Sequence, residues 1–131
     1  MTSTSPLAAS VHTSNIASLT LLARGKVRDN YAVGGVNGDR ILMVASDRLS
    51  AFDVIMGEPI PGKGAILTQM ALWWFERLKD VCPNHLTGED PMGVVTEAEK
   101  PQVQSRAMLV KRLKPLPVEA VVRGYLAGSG W

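Results

Sequence analysis

Hydrophobic residues in the first third of the chain fall into short runs that glycine-rich turns separate. Runs at residues 19–24 and 27–33 lie on either side of Gly25, and the glycine-dense segment 34–39 leads into a third run at 40–46. Short apolar or alternating segments bounded by turn residues are typical of β-strands. The pattern therefore predicts an antiparallel meander.

A helix is predicted over residues 65–80, after the segment 58–64, whose prolines and glycines break both regular periods. Apolar side chains recur at helical spacing and form one stripe along this helix. The members of the stripe are Ile66, Leu67, Met70, Ala71, Trp74, Phe75 and Leu78. We expect the stripe to be buried against the strands and Pro83 to mark the end of the helix.

Two more strands are predicted near the end of the chain. Residues 106–113 and 118–126 are largely apolar, and a stiff proline-containing connector at 114–117 joins them. Strands therefore dominate, with one long helix packed against them. The predicted fold class is α+β, with an antiparallel sheet.

Composition and charge limit the classes of function. A chain of 131 residues is long enough for the core of one domain, and a hydrophobic fraction of 46% is ordinary for a globular protein. The formal net charge of +2 is too small to indicate nucleic-acid binding, and the predicted strands carry few aromatic residues for base stacking. The single cysteine, Cys82, excludes an internal disulfide and a cysteine-based metal cluster.

The sequence shows no targeting signal. No apolar run approaches the ~20 residues that cross a bilayer, and the Ser/Thr-rich residues 1–17 lack the features of a secretory signal. We expect residues 1–17 to form a flexible tail and residues 18–131 to form the folded part. These observations favour a soluble cytoplasmic protein.

The first candidate for binding chemistry is the turn that carries Gly25, Lys26 and Arg28. A glycine lets the backbone approach a polyphosphate, and the two cations neutralise it. The segment lacks the spacing of a Walker A loop. A hairpin turn with solvated charges is the alternative. The same choice, between an anion site and a plain turn, applies to Gly62 and Lys63 before the predicted helix.

A second candidate follows the third predicted strand. Asp47, Arg48, Ser50 and Asp53 place two carboxylates, a guanidinium and a hydroxyl in one short segment. Loops after strands often carry ligand contacts. The alternative is a turn whose Asp and Ser side chains bond their own backbone. The local pattern leaves both interpretations open.

A third candidate is the segment that carries Glu119, Arg123 and Ser129. Glu119 and Arg123 are four residues apart, so a strand would point both side chains to one face. The glycine-rich loop around Ser129 suits a phosphate, because an arginine, a hydroxyl and backbone amides converge there. An exposed pair on one face is the alternative. Since a domain seldom ends on such a loop, we expect this chain to be the front part of a longer enzyme.

Four segments, in this order, resemble the SAICAR synthetase family of purine biosynthesis. They are GKVRDNY at 25–31, SDRLSAFD at 46–53, IPGKGAILTQ at 60–69 and LPVEAVVRGYLAGS at 116–129. The last is similar to a highly specific family signature. The resemblance covers residues 23–131 and implies the smaller N-terminal lobe of a two-lobed ATP-binding enzyme.

The family joins L-aspartate to the carboxylate of carboxyaminoimidazole ribonucleotide, with ATP cleaved to ADP and phosphate and magnesium assisting. The resemblance therefore implies a C–N ligase that uses ATP and Mg2+, acts on small molecules, and has no nucleic-acid or membrane partner. The family's second signature, D-x-K-x-E-F-G, carries acidic magnesium-site residues and has no counterpart in this sequence. No metal ligand is assigned, and we expect this chain alone to be inactive. A non-catalytic nucleotide-binding module is the alternative.

The resemblance also implies roles for individual positions. The residues expected at ATP are Gly25, Lys26, Arg28, Lys111, Arg112, Leu113 and Glu119. The residues expected at the substrates are Asp47, Ser50, Asp53, Arg123 and Ser129. Within these sets, residues 111–113 meet the adenine through their backbone, and Arg123 and Ser129 hold the ribonucleotide phosphate. No residue is assigned a catalytic role.

Overall fold

The structure, a computed structural model, describes residues 9–130. Its strands are β1 Thr20–Arg24, β2 Arg28–Val33, β3 Arg40–Ala45, β4 Ser50–Ala51, β5 Val54–Ile55 and β6 Ala107–Lys111. Its helices are α1 Lys63–Arg77 and α2 Lys100–Val103, with short 3-10 helices at Pro91–Val94 and Gly128–Gly130. A four-stranded antiparallel sheet has the order β1-β2-β3-β6, and β4 pairs with β5 in a separate hairpin. The predicted α+β class is confirmed. No helix within the described range is long and apolar enough to cross a membrane.

The predicted strands of the meander are confirmed, and their alternation builds the core. Tyr31 on β2 lies opposite Leu42 on β3, which in turn lies opposite Leu109 on β6. All three side chains are buried and belong to one cluster with Ile16 and Val103. Because a shift of one residue would turn each of them to the other face, their burial fixes the register of the sheet.

The segment before β1 is packed against the fold, in contrast to the predicted flexible tail. Ser14 and Ile16 are both buried, and the Ser14 hydroxyl donates to Asp29 at 2.7 Å. A Ser/Thr-rich composition suits a solvated tail, but it equally suits a segment whose hydroxyls satisfy buried polar groups. The boundary predicted at residue 17 is therefore too late. The expected flexibility of residues 1–8 lies outside the described residues.

Helix α1 is confirmed, but the prediction that its apolar stripe is buried is wrong. The exposed fraction is 49% for Trp74 and 63% for Ile66, whereas Gly64 and Thr68 are the buried residues of the helix. A Cβ added to Gly64 would lie 2.3 Å from the Ala45 carbonyl oxygen. The helix thus touches the sheet backbone through its small residues. Most of the large side chains of the stripe are therefore exposed, including Ile66, Met70 and Trp74.

Residues 118–126 do not form the predicted final strand. The outer edge of β6 already bonds residues 85–87, at amide–carbonyl distances of 2.8 and 3.1 Å. A strand needs a ladder partner, and valine-rich propensity does not replace one. The segment is exposed and forms no strand. The expectation that Glu119 and Arg123 share one strand face is therefore wrong.

Candidate functional site

One buried arginine supports the turn between β1 and β2. The Arg48 guanidinium donates to the Gly25 carbonyl at 3.0 Å and to the Lys26 carbonyl at 3.1 Å. It also donates to the His12 carbonyl at 2.8 Å. Arg48 follows the end of β3 and is only 3% exposed. Its side chain is therefore part of the fold beneath the turn.

A buried carboxylate completes this support. Asp29, on β2, accepts from Arg48 at 2.9 Å and from the Ser14 amide and hydroxyl at 3.0 and 2.7 Å. Arg24 donates to the same carboxylate at 3.1 Å. Burial alone would raise the pKa of Asp29, but the hydrogen bonds from Arg48 and Ser14 outweigh it and hold the pKa below its ordinary value. Asp29 therefore stays ionised and fixes the guanidinium.

Asp47 lies inside the fold. Its Oδ1 accepts from Arg106 and from the Gly64 amide, each at 2.9 Å, and its Oδ2 accepts from Arg106 at 3.1 Å and from the Val11 amide at 2.9 Å. Burial would raise the pKa of Asp47, but bonds from Arg106, Gly64 and Val11 hold it below its ordinary value. Both oxygens are occupied by the protein. The carboxylate thus connects α1 to the sheet. Neither of its oxygens is left free for the predicted substrate contact.

The structure brings together two residues that the sequence assigned to different ligands. Lys26, expected at the ATP phosphates, forms an ion pair with Asp53, expected at a substrate. Asp53 is held at the tip of the β4–β5 hairpin, where it and Phe52 both have positive φ, at 62° and 51°. Two such residues in succession are typical of a type I′ turn. This turn directs Asp53 toward the β1–β2 turn.

The charges around Lys26 reinforce one another. The hydrogen bond and the charge of Asp53 raise the pKa of Lys26, with a smaller contribution from the charge of Glu119. The same hydrogen bond and the Lys26 charge lower the pKa of Asp53. Both groups are solvent-exposed and stay charged. Glu119, predicted at the ATP site, is therefore within electrostatic reach of Lys26.

A cavity of about 230 Å³ opens beside the same turn, between the sheet and α1. Its lining residues are Val27, Arg28, Ala45, Ser46, Lys63, Leu67, Thr68, Ala71 and Met108. Apolar side chains make up most of the lining, and Arg28 and Lys63 supply two cations. The Thr68 hydroxyl is buried and has no hydrogen-bond partner among the described residues. An apolar space flanked by cations suits a molecule with an apolar body and an anionic end.

Arg123 and Ser129 are brought together without a strand. The Arg123 guanidinium donates to the Ser129 hydroxyl at 3.0 Å, and both residues are exposed. A Cβ added to Gly130 would lie 3.3 Å from Arg123, and one added to Gly128 would lie 3.6 Å from it. The glycines thus let the guanidinium lie close against the loop. This arrangement leaves its remaining donors open to solvent.

Two of the predicted adenine contacts, Lys111 and Arg112, lie at the end of β6. The Lys111 amide bonds the His85 carbonyl at 2.8 Å, and the Arg112 amide bonds the Asp39 carbonyl at 2.8 Å. The Arg112 side chain donates to the Val36 carbonyl at 2.5 Å. Both amides are therefore already hydrogen-bonded within the fold.

Two further predicted ligand contacts are Leu113, assigned to the adenine, and Ser50, assigned to a substrate. Leu113 follows β6 and is exposed. Ser50 pairs with Ile55 in the hairpin. Neither placement tests the predicted ligand contact.

Sequence reasoning missed the residues that hold the site from beneath. Asp29 and Arg106 are each about as buried as Arg48, yet neither was assigned a role. Both are charged residues within runs that read as strands, and a charge in such a run is a signal for a buried partner. Lys63 was considered only as part of a helix entry. Its place beside Arg28 in the cavity depends on the tertiary fold.

Comparison with known proteins gives consistent matches. The family model for SAICAR synthetase matches residues 21–131. The phosphoribosylaminoimidazole-succinocarboxamide synthase of Polaromonas naphthalenivorans is 78% identical over 121 residues, which are 92% of this chain and 39% of that protein. The protein of the same name from Methylibium petroleiphilum is 70% identical over 131 residues, 100% of this chain and 41% of its own length.

Solved structures match as well. A SAICAR synthase from Saccharomyces cerevisiae, complexed with SAICAR, superposes with a TM-score of 0.81 at 38% identity, covering 92% of this chain and 42% of that one. A second SAICAR synthase structure gives a TM-score of 0.82 at 38% identity. The chain thus spans about two fifths of the length of the relatives it matches.

Proposed function

The chain belongs to the SAICAR synthetase family, and on that premise we propose that the protein is an ATP-dependent ligase of purine biosynthesis. It forms an amide between the amine of L-aspartate and the carboxylate of carboxyaminoimidazole ribonucleotide. ATP is cleaved to ADP and phosphate in the process. The expected location of such a metabolic enzyme is the cytoplasm.

The chemistry explains why several cations are needed. A carboxylate is a poor acyl donor, so one of its oxygens first attacks the terminal phosphorus of ATP, and ADP leaves. The aspartate amine then attacks the carbonyl carbon of the acyl phosphate, loses a proton and expels phosphate. Each step brings anionic groups together, and cationic side chains must offset their repulsion.

The observation that carries the proposal is the ion pair between Lys26 and Asp53. Lys26, assigned to the ATP phosphates, and Asp53, assigned to a substrate, lie side by side. Direct phosphoryl transfer requires such proximity between the two ligands. Asp53 neutralises Lys26. When a phosphate group arrives, it competes with Asp53 for the same ammonium. The released carboxylate then faces the space where the substrate must sit.

The adjacent cavity supports a nucleotide at this place. Its apolar lining suits a base, and Arg28 and Lys63 suit phosphate oxygens. The buried Thr68 hydroxyl has an unused hydrogen-bonding capacity that a ligand atom or a water molecule would satisfy. We place the ATP-binding region here, next to the turn that carries Lys26.

The loop around Ser129 supports the ribonucleotide phosphate. Arg123 lies against the glycines of this loop and contacts the Ser129 hydroxyl. A guanidinium with a hydroxyl beside it recognises phosphate through several charge-assisted bonds. In this proposal the loop anchors the sugar phosphate, and the imidazole end of the same substrate extends toward Asp53.

Residues 9–130 offer no set of ligands for magnesium. No three His, Cys, Asp or Glu side chains cluster there in a way that could hold a metal ion. Asp53 is paired with Lys26, and the carboxylates of Asp29 and Asp47 are occupied by arginines. We therefore assign no step of the reaction to a metal held by these residues.

The test is an assay of the full-length protein that carries this sequence, supplied with ATP, carboxyaminoimidazole ribonucleotide and L-aspartate. We expect ADP release and formation of the amide to require all three substrates. Binding of ATP without turnover under these conditions would instead favour a non-catalytic nucleotide-binding module. A protein that binds neither ATP nor the ribonucleotide would overturn the proposal.

A further inference from the structure

We propose that Arg48 is a positioning residue for the ATP phosphates, acting through the backbone of the turn at residues 25–28. It does not contact the nucleotide itself. It orients two successive peptide groups so that their amides point outward beside the Lys26 side chain. The inference rests on the proposed function, because it takes ATP as the ligand of this turn.

The contacts of Arg48 define the orientation of these peptides. A guanidinium can only donate hydrogen bonds. That of Arg48 donates to the carbonyls of Gly25 and Lys26, at 3.0 and 3.1 Å. The chain has no cis peptide bond among the described residues. In a trans peptide the carbonyl and the following N–H point to opposite sides. The amides of Lys26 and Val27 therefore point away from the buried guanidinium.

These two amides are available for a ligand. Within residues 9–130, neither the Lys26 nor the Val27 N–H donates a hydrogen bond. Successive backbone amides with a common direction form a concave site for anions. The Lys26 ammonium is attached to the same turn, and Arg28 lines the neighbouring cavity. Two backbone donors and two cations thus lie along one turn, where a phosphate can bind in this proposal.

The geometry also explains why an arginine is required. One side chain must reach two adjacent carbonyls and the Asp29 carboxylate at once, and the contact to Asp29 is 2.9 Å. The planar guanidinium has donors in a fixed fork that meets this demand. A lysine could retain the ion pair with Asp29, but its single nitrogen would not hold both carbonyls. A Lys substitution therefore separates the charge of Arg48 from its geometry.

The experiment compares Arg48→Lys with the unmodified full-length protein. We expect the KM for ATP to rise about tenfold or more, since two charge-assisted bonds that orient the turn are lost. The KM for L-aspartate should change less than about twofold, because the variant leaves its binding groups in place. An ATP KM that stays within about twofold of the unmodified protein would overturn the inference.

Glu99→Gln is the matched control for a general loss of stability. Glu99 is 8% exposed, and it accepts from the Ser18 amide and hydroxyl and from the Thr96 amide, away from the turn. Its substitution weakens a buried network without touching residues 25–28. If Glu99→Gln raised the ATP KM as much as Arg48→Lys, the effect would be one of stability, and the positioning role would be refuted.

A second measurement needs no variant and covers the case in which Arg48→Lys does not fold. Hydrogen exchange of the Lys26 and Val27 amides is followed in the full-length protein with and without ATP. We expect both amides to exchange rapidly without ATP and to become protected when it binds. Protection elsewhere with unchanged exchange at these two positions would sink the inference but leave ATP binding intact. Absence of any ATP-dependent protection would count against the proposed function itself.

Discussion

The Arg106 guanidinium donates hydrogen bonds to both carboxylate oxygens of Asp47, at 2.9 and 3.1 Å, and both side chains are buried. The same carboxylate accepts from the Gly64 amide at the start of α1. One ion pair therefore connects the end of β3, the start of β6 and the main helix. This connection holds the start of α1 against the sheet.

We predict that Asp47→Asn lowers the free energy of unfolding by about 3–5 kcal/mol, because it leaves the Arg106 charge buried without a partner. The measurement is urea unfolding of the full-length protein. Asp39→Asn is the control, since the Asp39 side chain is 95% exposed and lies 3.7 Å from Arg40. A stable Asp47→Asn protein that had lost affinity for L-aspartate would instead restore the predicted substrate role of Asp47.

Acid should destabilise the protein through its buried aspartates, Asp29 and Asp47. The pKa values of Asp29 and Asp47 are lowered in the fold from an ordinary value of 3.8. Their contribution to stability is therefore fully present above the unfolded pKa and is lost as the pH falls through the folded values. The check is the unfolding free energy from roughly pH 6 to roughly pH 3. Asp47→Asn should show a smaller loss of stability over this window, and an equal loss would contradict the assignment.

Close packing at the start of α1 gives a third prediction. We expect Gly64→Ala to lower the free energy of unfolding by about 1–3 kcal/mol, because the added methyl group would overlap the Ala45 carbonyl. Gly57→Ala is the control, since a Cβ there meets nothing within 4 Å. Thermal unfolding of the two variants distinguishes them. Equal midpoints would mean that α1 approaches the sheet less closely than the structure has it.

The loop that carries Ser129, which we propose binds the ribonucleotide phosphate, gives a fourth prediction. Arg123→Ala should weaken ribonucleotide binding by ~1.5–3 kcal/mol, the worth of a hydrogen bond to a charged group. ATP affinity should stay the same, because Arg123 lies on a different loop from Lys26 and Arg28. Titration calorimetry of the full-length protein with each ligand measures both. Arg40→Ala, which removes an exposed arginine paired with Glu89 at 2.6 Å, is the control and should change neither affinity. Unchanged ribonucleotide affinity in Arg123→Ala would remove this residue from the site.

The sequence predicted the sheet well because the register depends on a local alternation. Tyr31 and Leu42 face the core through the same period of two that the sequence displays. The position of α1 was also predictable from its spacing. Which face of α1 is buried was not predictable, because a glycine contact with the Ala45 carbonyl decides it. Residues 118–126 failed as a strand for a similar reason, since strand propensity says nothing about whether a sheet edge is free.

For the candidate site, the sequence indicated which residue types to consider. It did not indicate how their side chains are arranged in space. Lys26 and Asp53 were each assigned to a ligand, but their direct contact depends on a turn with two positive φ angles. Sequence patterns seldom predict that conformation for Phe52, because it is rare for a bulky residue. Arg48 was noted only as a member of the polar segment after the third predicted strand, and the sequence did not indicate that it is buried beneath the turn. Its side-chain partners come from two separate parts of the chain, His12 and residues 25–29, and only the fold brings them together.

Arg48 also joins the turn to the segment before β1, through its 2.8 Å bond to the His12 carbonyl. Proteolytic trimming past His12 would remove that acceptor and leave a buried guanidinium donor without a partner. Such trimming would therefore loosen the turn that carries Gly25 and Lys26, although none of its own residues had changed.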